Sequence, residues 1–280
     1  MKRVFEKTLS IALSGAAVFT ISGCFGTGGV VTEYAAGEQI EDSVPVEAQT
    51  CLEALGYGTI TLANGSIWLD RNLGAGEVAG GDVNNSASFG DYYQWGRGND
   101  GHEKLTSGTV EIFATQIEPL AGSAWDGNFI VDPDGWDWLE DGVDNNGSLR
   151  STQWGTPRPD SATADEALSQ ICPCGFVVPS AKDFSDANLT TIAQELDLPY
   201  ASMRDGSTGL RDEGNVGVSG FYRTRDTIDA GLPTLVVSSE NDDKIWSYAF
   251  EPVHAATVRC IKKESSVDSP PIEYTPTSAQ

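Results

Sequence analysis

Gly58-Thr-Ile-Thr-Leu-Ala-Asn-Gly-Ser-Ile-Trp-Leu-Asp-Arg-Asn-Leu73 sets two short runs, Gly58–Ala63 and Ser66–Leu73, on either side of Asn64-Gly65. β-Branched and aromatic side chains favour extended backbone, and Asn-Gly accommodates the positive φ of a tight turn. The segment therefore reads as a β-hairpin. Near the other end, Gly220–Arg223, Thr234–Ser238, Lys244–Phe250 and Ala256–Ile261 read as further short strands. Helical patterns fall between the two groups. Ala162–Ile171 carries Asp165 and Glu166 near its start. Ser180-Ala-Lys-Asp183 has the spacing of a capping box, opening a helix whose second part runs near Leu189–Leu198. Strands at both ends with helices between them predict an α+β domain whose terminal strands pair. Residues 98–160 are mostly Gly, Asp, Asn, Ser and Trp without a sustained period, which predicts long loops. Trp125, Trp136, Trp138 and Trp154 lie among them, so these loops are expected to be packed.

Outward from this core, composition narrows the function classes. The 280 residues hold 41 Asp+Glu against 17 Lys+Arg, a formal charge of −24. Nucleic-acid affinity comes mainly from Lys and Arg displacing counterions, so a nucleic-acid partner is excluded as an expectation. A polybasic membrane patch is equally disfavoured. Met1–Lys7 is basic and Thr8–Ser22 apolar, the pattern of a secretory signal too short to span a bilayer. Ile21-Ser22-Gly23-Cys24 resembles the bacterial lipobox, which implies acylation of Cys24, cleavage after residue 23, and export to the cell envelope, with the outer membrane favoured. Multiple acyl chains bind a membrane stably where one does not. Cleavage would leave 14 basic and 40 acidic residues. Residues 24–50 read as a flexible tether, 51–263 as one domain, and 264–280, rich in Pro, Ser and Thr, as a disordered tail.

Five phrases occur in order: Trp68-Leu-Asp-Arg-Asn-Leu-Gly-Ala75, Tyr92-Tyr-Gln-Trp-Gly-Arg97, Asn99-Asp-Gly-His102, Cys172-Pro-Cys-Gly-Phe-Val-Val-Pro179 and Val258-Arg-Cys-Ile261. Together they resemble the Fibrobacter succinogenes major paralogous domain, FISUMP, a module of bacterial surface and secreted proteins. The resemblance covers roughly residues 58–262. It implies a variant of the C-type-lectin-like fold, with small antiparallel sheets, few short helices, long loops and paired terminal strands. Two departures stand out: a second cysteine at 174, and Val177 where the family often has Arg. The resemblance carries fold more firmly than activity. It implies a recognition or adhesion module for glycan or protein, with a structural envelope lipoprotein as the alternative.

Besides Cys24, the chain has Cys51, Cys172, Cys174 and Cys260. An even number in an exported chain predicts two disulfides in one of three connectivities. The resemblance implies that Cys172 or Cys174 meets Cys260 and that Cys51 takes the other. The rival is a zinc site of Cys172, Cys174, His254 and Cys260, against which the Cys-x-Cys spacing argues. Asp132, Asp134, Asp137, Asp141 and Asp144 form the densest carboxylate segment. Oxygen ligands in Gly-bearing loops suit calcium, although no EF-hand register is present. Trp125, Trp136, Trp138 and Trp154, flanked by Asn145 and Asn146, are the candidate ligand face. The rings of Tyr92–Trp95 are expected to be structural. Gly96-Arg-Gly-Asn-Asp-Gly101 spells G-x-G-x-x-G outside any βαβ context and reads as a turn. No Gly-x-Ser-x-Gly, His-Glu-x-x-His or phosphate loop occurs. His102 and His254 read as hydrogen-bonding loop residues. Formylglycine-generating enzymes, wider relatives by fold, need a reactive cysteine arrangement that Cys260 alone does not match, so an enzyme is not expected.

Overall fold

The structure is a computed structural model that describes residues 46–157, 170–187, 191–228, 232–239 and 246–263. The signal segment 1–23, Cys24, most of the tether, nearly all of the helix expected at Ala162–Ile171, and the tail 264–280 lie outside them. Among the described residues no helix is long and apolar enough to cross a membrane.

The chain runs α1 (Val46–Leu55), β1 (Thr59–Thr61), β2 (Ile67–Leu69), β3 (Tyr93–Gln94), β4 (Thr109–Val110), β5 (Phe129–Ile130) and α2 (Ser148–Trp154). It continues through β6 (Phe176–Val177), α3 (Ala181–Asp186), α4 (Ile192–Glu195), β7 (Ser219–Ile228), β8 (Leu232–Ser239), β9 (Trp246–Ala249), β10 (Ala255–Ala256) and β11 (Ile261–Lys262). This is an α+β arrangement of short helices and small, largely antiparallel sheets. Among the described strands, β4 and β5 pair in parallel.

The hairpin forms around Asn64-Gly65, with Gly65 at φ +86° and Thr59 opposite Leu69. Its second strand is the centre of a four-stranded sheet ordered β1-β2-β11-β6. Trp68 stands opposite Ile261, so the terminal strands pair. Both sheet faces are buried. Side chains alternate along a strand, so Ile67 and Leu69 join Trp95, Trp154, Phe176 and Val178 on one side. Trp68 and Val177 join Phe184, Ile192, Leu196 and Tyr222 on the other. Helix α3 supplies part of that second layer, opened by the expected capping box of Ser180 and Asp183.

The cysteines fix this sheet to its surroundings. Cys51 of α1 is bonded to Cys174, and Cys172 to Cys260. Both bridges lie in the core layer with Trp95 and Trp154. All four thiols are therefore consumed, and the zinc alternative using Cys172, Cys174 and Cys260 is ruled out. In the chain-entropy description, closing loops of this length stabilises by about 4–5 kcal/mol for a single bridge.

Two helices were not expected. Helix α1 starts at Val46, inside the stretch read as tether, and α2 lies within the segment read as loops. Gly147, the residue before α2, makes no side-chain cap. Asp144 supplies one from a distance: its Oδ1 accepts from Leu149 N and its Oδ2 from Arg150 N, both in the first turn. A carboxylate there satisfies orphan amides and opposes the helix dipole.

The loops are held by arginine. Arg97, Arg150, Arg204, Arg223 and Arg259 are all buried. Arg204 donates to the carbonyls of Gly209, His102, Lys104 and Ser107 and lies 4.0 Å over the Phe129 ring. Arg259 reaches Asn72 Oδ1, Leu69 O and Leu196 O. A planar guanidinium satisfies several loop carbonyls at once, which a small sheet cannot do. Burial draws Arg204 and Arg259 down to about 10.

Candidate functional site

Three loops meet at one edge of the domain: residues 132–138, 205–209 and 250–254. Each is fixed internally by a side chain. Asp132 accepts from Asp134 N (3.0 Å) and Trp136 N (2.8 Å), and Gly135 completes that turn at φ +79°. Asp205 Oδ1 accepts from the amides and hydroxyls of Ser207 and Thr208. His254 stacks on Phe250, their ring centroids 4.7 Å apart. The Asp side chains imitate backbone turns, so the loops keep their shape without a regular ladder.

Backbone bonds then close the three loops on each other. Asp132 N donates to Gly206 O (3.0 Å), Gly206 N to His254 Nδ1 (2.8 Å), and Val253 N to Trp136 O (3.4 Å). A Cβ on Gly206 would stand 2.5 Å from Val253 Cγ1, so the close approach requires glycine. Because Nδ1 accepts a hydrogen bond from the Gly206 N–H, the neutral His254 ring carries its own proton on Nε2. Burial, and then the Arg223 charge, lower its pKa and keep it neutral. Arg223 beneath it donates to Glu251 O and His254 O, and burial brings its pKa down to about 9.

Trp136 projects from this junction with 63% of its surface exposed. Trp68, Trp95, Trp125, Trp138 and Trp154 are all buried. The candidate ligand face therefore divides. Trp125 and Trp138 fill a small core beneath the 110–143 loops, and Trp154 lies in the disulfide layer. Their rings offer no face to solvent. The exposed Asn145 and Asn146 accept from Gly142 N and Ser148 N, so their carbonyl groups shape the turn before α2. Tyr92, Tyr93 and Trp95 are buried.

The five acidic residues do not meet at one point. Asp137 and Asp144 converge on Arg150, whose Nη1 lies 2.8 Å from Asp137 Oδ1 and whose Nε lies 3.1 Å from Asp144 Oδ2. Asp132 is engaged with backbone amides, and Asp134 and Asp141 are exposed. Among the described residues, ligand-type side chains converge only at Asp100, His102 and Glu103, within 4.8 Å of one another. Sequence spacing did not single out that trio. Its atoms have protein partners. His102 Nδ1 is 2.6 Å from Asp100 Oδ1, and His102 Nε2 accepts from Gln94 N. Asp100 Oδ2 takes the Arg97 guanidinium, and Glu103 Oε2 takes Gly101 N. Burial works against the Asp100 charge. The His102 hydrogen bond, with the His102 and Arg97 charges, overcomes it and lowers the pKa to about 2. Burial and Arg97 lower that of His102. This cluster closes the 97–103 turn.

Sequence reading missed Asp205 and Gly206. Asp205-Gly-Ser-Thr-Gly209 is a turn signal, but nothing in it indicates contact with residue 132 or 254. No protein-family model, curated protein or solved structure matches the chain.

Proposed function

We propose that this protein is an exported surface lipoprotein, acylated on Cys24, whose C-type-lectin-like domain of the FISUMP kind recognises a glycan or a protein through the Trp136 junction. The observation that carries the reading is the exposed indole on a loop held at both ends by side-chain and backbone bonds. A flat ring fixed in advance binds without the entropy cost of ordering a flexible loop. Tryptophan is also enriched among the residues that dominate interfaces. On the same loop Asp134 offers an exposed carboxylate, and the partly exposed His254 belongs to the loops that close on it. Rings flanked by a few polar groups are how shallow sites hold amphipathic ligands. The strong negative charge directs the reading to neutral or cationic ligands.

The test is a glycan array, with and without Ca²⁺, using the wild-type chain and Trp136→Ala. The variant is expected to lose about 30-fold or more in affinity, while its melting temperature stays within about 2 °C because the ring is exposed. Binding that survives the substitution would reject the Trp136 face. No binding on the array, together with crosslinking to envelope proteins in cells, would favour the structural lipoprotein.

A further inference from the structure

One of the bonds that closes the three loops on each other runs through an atom that can take up a proton. Gly206 N donates to His254 Nδ1 at 2.8 Å, which requires a lone pair on that nitrogen. The side chain is 15% exposed, so solvent protons reach it. Charged groups face the ring from the elements packed around it. Arg223 of β7 lies beneath, donating to Glu251 O and His254 O, and its charge opposes a second cation. Asp205 of the facing loop and Glu251 of the same loop favour one, and Asp205 Oδ2 is already 3.8 Å from Nδ1. In the third loop, Asp132 has its carboxylate oxygens on Asp134 N and Trp136 N, and Asp137 has Arg150. Phe250 stacks on the ring.

We propose that His254 is an acid-sensitive latch on the Trp136 junction: protonation of Nδ1 breaks its bond from Gly206 and releases the 205–209 loop. The added proton occupies the lone pair, so two N–H groups point at each other without an acceptor. Nδ1–H has a new partner within reach in Asp205 Oδ2. The 250–254 side is held, because Arg223 binds its carbonyls and Ala255 pairs in both directions with Arg204. The 205–209 side gives instead. Its turn is closed on itself, with Ser207 N and Thr208 N on Asp205 Oδ1 and Gly209 N on Asp205 O, so it moves as a unit. Gly206 O is also the acceptor of Asp132 N, so the movement loosens the root of the loop that carries Trp136. Burial and the Arg223 charge disfavour the imidazolium in the closed junction, so opening and protonation are linked below the ordinary histidine value of about 6.5. The effect on recognition rests on the Trp136 reading, whereas the latch does not, and the experiment below reads the latch alone.

Nuclear magnetic resonance of the nitrogen-15-labelled full chain between pH 7.5 and 5 tests this without a ligand. After correction for the intrinsic pH dependence of exchange, protection of the Gly206 amide is expected to fall about three-fold or more from pH 7 to 5.5. The fall should track the ring-nitrogen shifts of His254, while the Ala255 amide, bonded to Arg204 O, keeps its protection. His254→Gln supplies a side-chain oxygen that accepts from Gly206 without titrating, so it should keep the fold and abolish the trend. The same variant separates the effect from His102, the other histidine. Asp205→Asn keeps the oxygen that accepts the turn amides and removes the ion-pair partner, so it should move the His254 midpoint to lower pH. Gly206 protection that stays constant while His254 titrates, or a trend that survives His254→Gln, would overturn the proposal. A His254 ring still neutral at pH 5, or Ala255 protection lost in parallel through global unfolding, would equally overturn it.

Discussion

Replacing Arg150 with alanine is expected to be among the most damaging single changes outside the disulfides. Its guanidinium meets Asp137 and Asp144 and stands 4.8 Å over Trp95 and 5.6 Å over Trp138. Asp144 is as buried as the arginine, so removing the cation leaves a buried carboxylate with only backbone donors. Breaking a buried pair in this way costs about 3–5 kcal/mol. Asp137 is 29% exposed and adds little, because water screens it. For a domain of this size the loss corresponds to a fall in melting temperature of roughly 6–20 °C. Arg150→Met with Asp144→Asn should recover part of it, since the double variant leaves no uncompensated buried charge and Asn keeps one acceptor for the α2 amides. The assay is a double-mutant cycle in urea with disulfides intact, read by near-ultraviolet circular dichroism of the stacked indoles. Asp137 also fixes the amides of Trp138 and Leu139, so the single variant should loosen the loop that carries Trp136. A cost below about 1 kcal/mol, or a coupling energy near zero, would refute the claim that this arginine organises the loops.

Burial lowers the pKa of both histidines, so between the ordinary histidine pKa of about 6.5 and the lowered folded values the unfolded chain binds more protons than the folded one. Stability should be full above that pH and decline as pH falls through the histidine range, measured by urea titration, with His254→Gln reducing the slope. Asp100, lowered to about 2, holds its contribution above the unfolded carboxylate range and loses it only as pH falls from about 4 toward 2. Under non-reducing conditions, tryptic digestion should yield one cluster of three peptides, carrying Cys51, Cys172 with Cys174, and Cys260, because no basic residue separates 172 from 174; Cys172→Ala with Cys260→Ala should reduce it to the Cys51–Cys174 pair and cost about 2–5 kcal/mol in urea. Gly96→Ala should destabilise by about 2–5 kcal/mol in the same assay, because Gly96 sits at φ +76° and an added Cβ would stand 2.3 Å from Arg150 Cβ.

The hairpin was legible because Asn64-Gly65 carries its turn chemistry locally, and α3 because Ser180 and Asp183 cap each other within four residues. Helix α1 was not, because Val46-Glu-Ala-Gln-Thr-Cys-Leu-Glu-Ala-Leu55 has a weak apolar stripe and is docked by a disulfide to Cys174. Helix α2 was hidden for a similar reason: its cap is the side chain of Asp144, before the turn, where an acidic run suggested a cation. The site was half legible. Four tryptophans in the loops look alike in sequence, and distant partners decide between them. Trp138 Nε1 donates to Trp95 O, 43 residues away, while the Trp136 amide is held by a carboxylate four residues before it and its ring is exposed. Burial of that kind is a tertiary property with no periodic trace.

The interleaved bridges also give the domain a mechanical character. From Val46 a covalent path runs to Cys51, crosses to Cys174, steps back to Cys172, crosses to Cys260 and leaves at Lys263. Its peptide segments are 46–51, 172–174 and 260–263, so at ~3.5 Å per residue the path spans about 45–50 Å even when every hydrogen bond is broken. Tension between the two sides of the domain would be borne by this short stem, and the long loops that carry Trp136 and the arginines would hang from it unloaded. A pulling experiment should therefore find almost no releasable length until a reductant is added, and a single backbone cut in the 98–157 loops should leave the two halves joined.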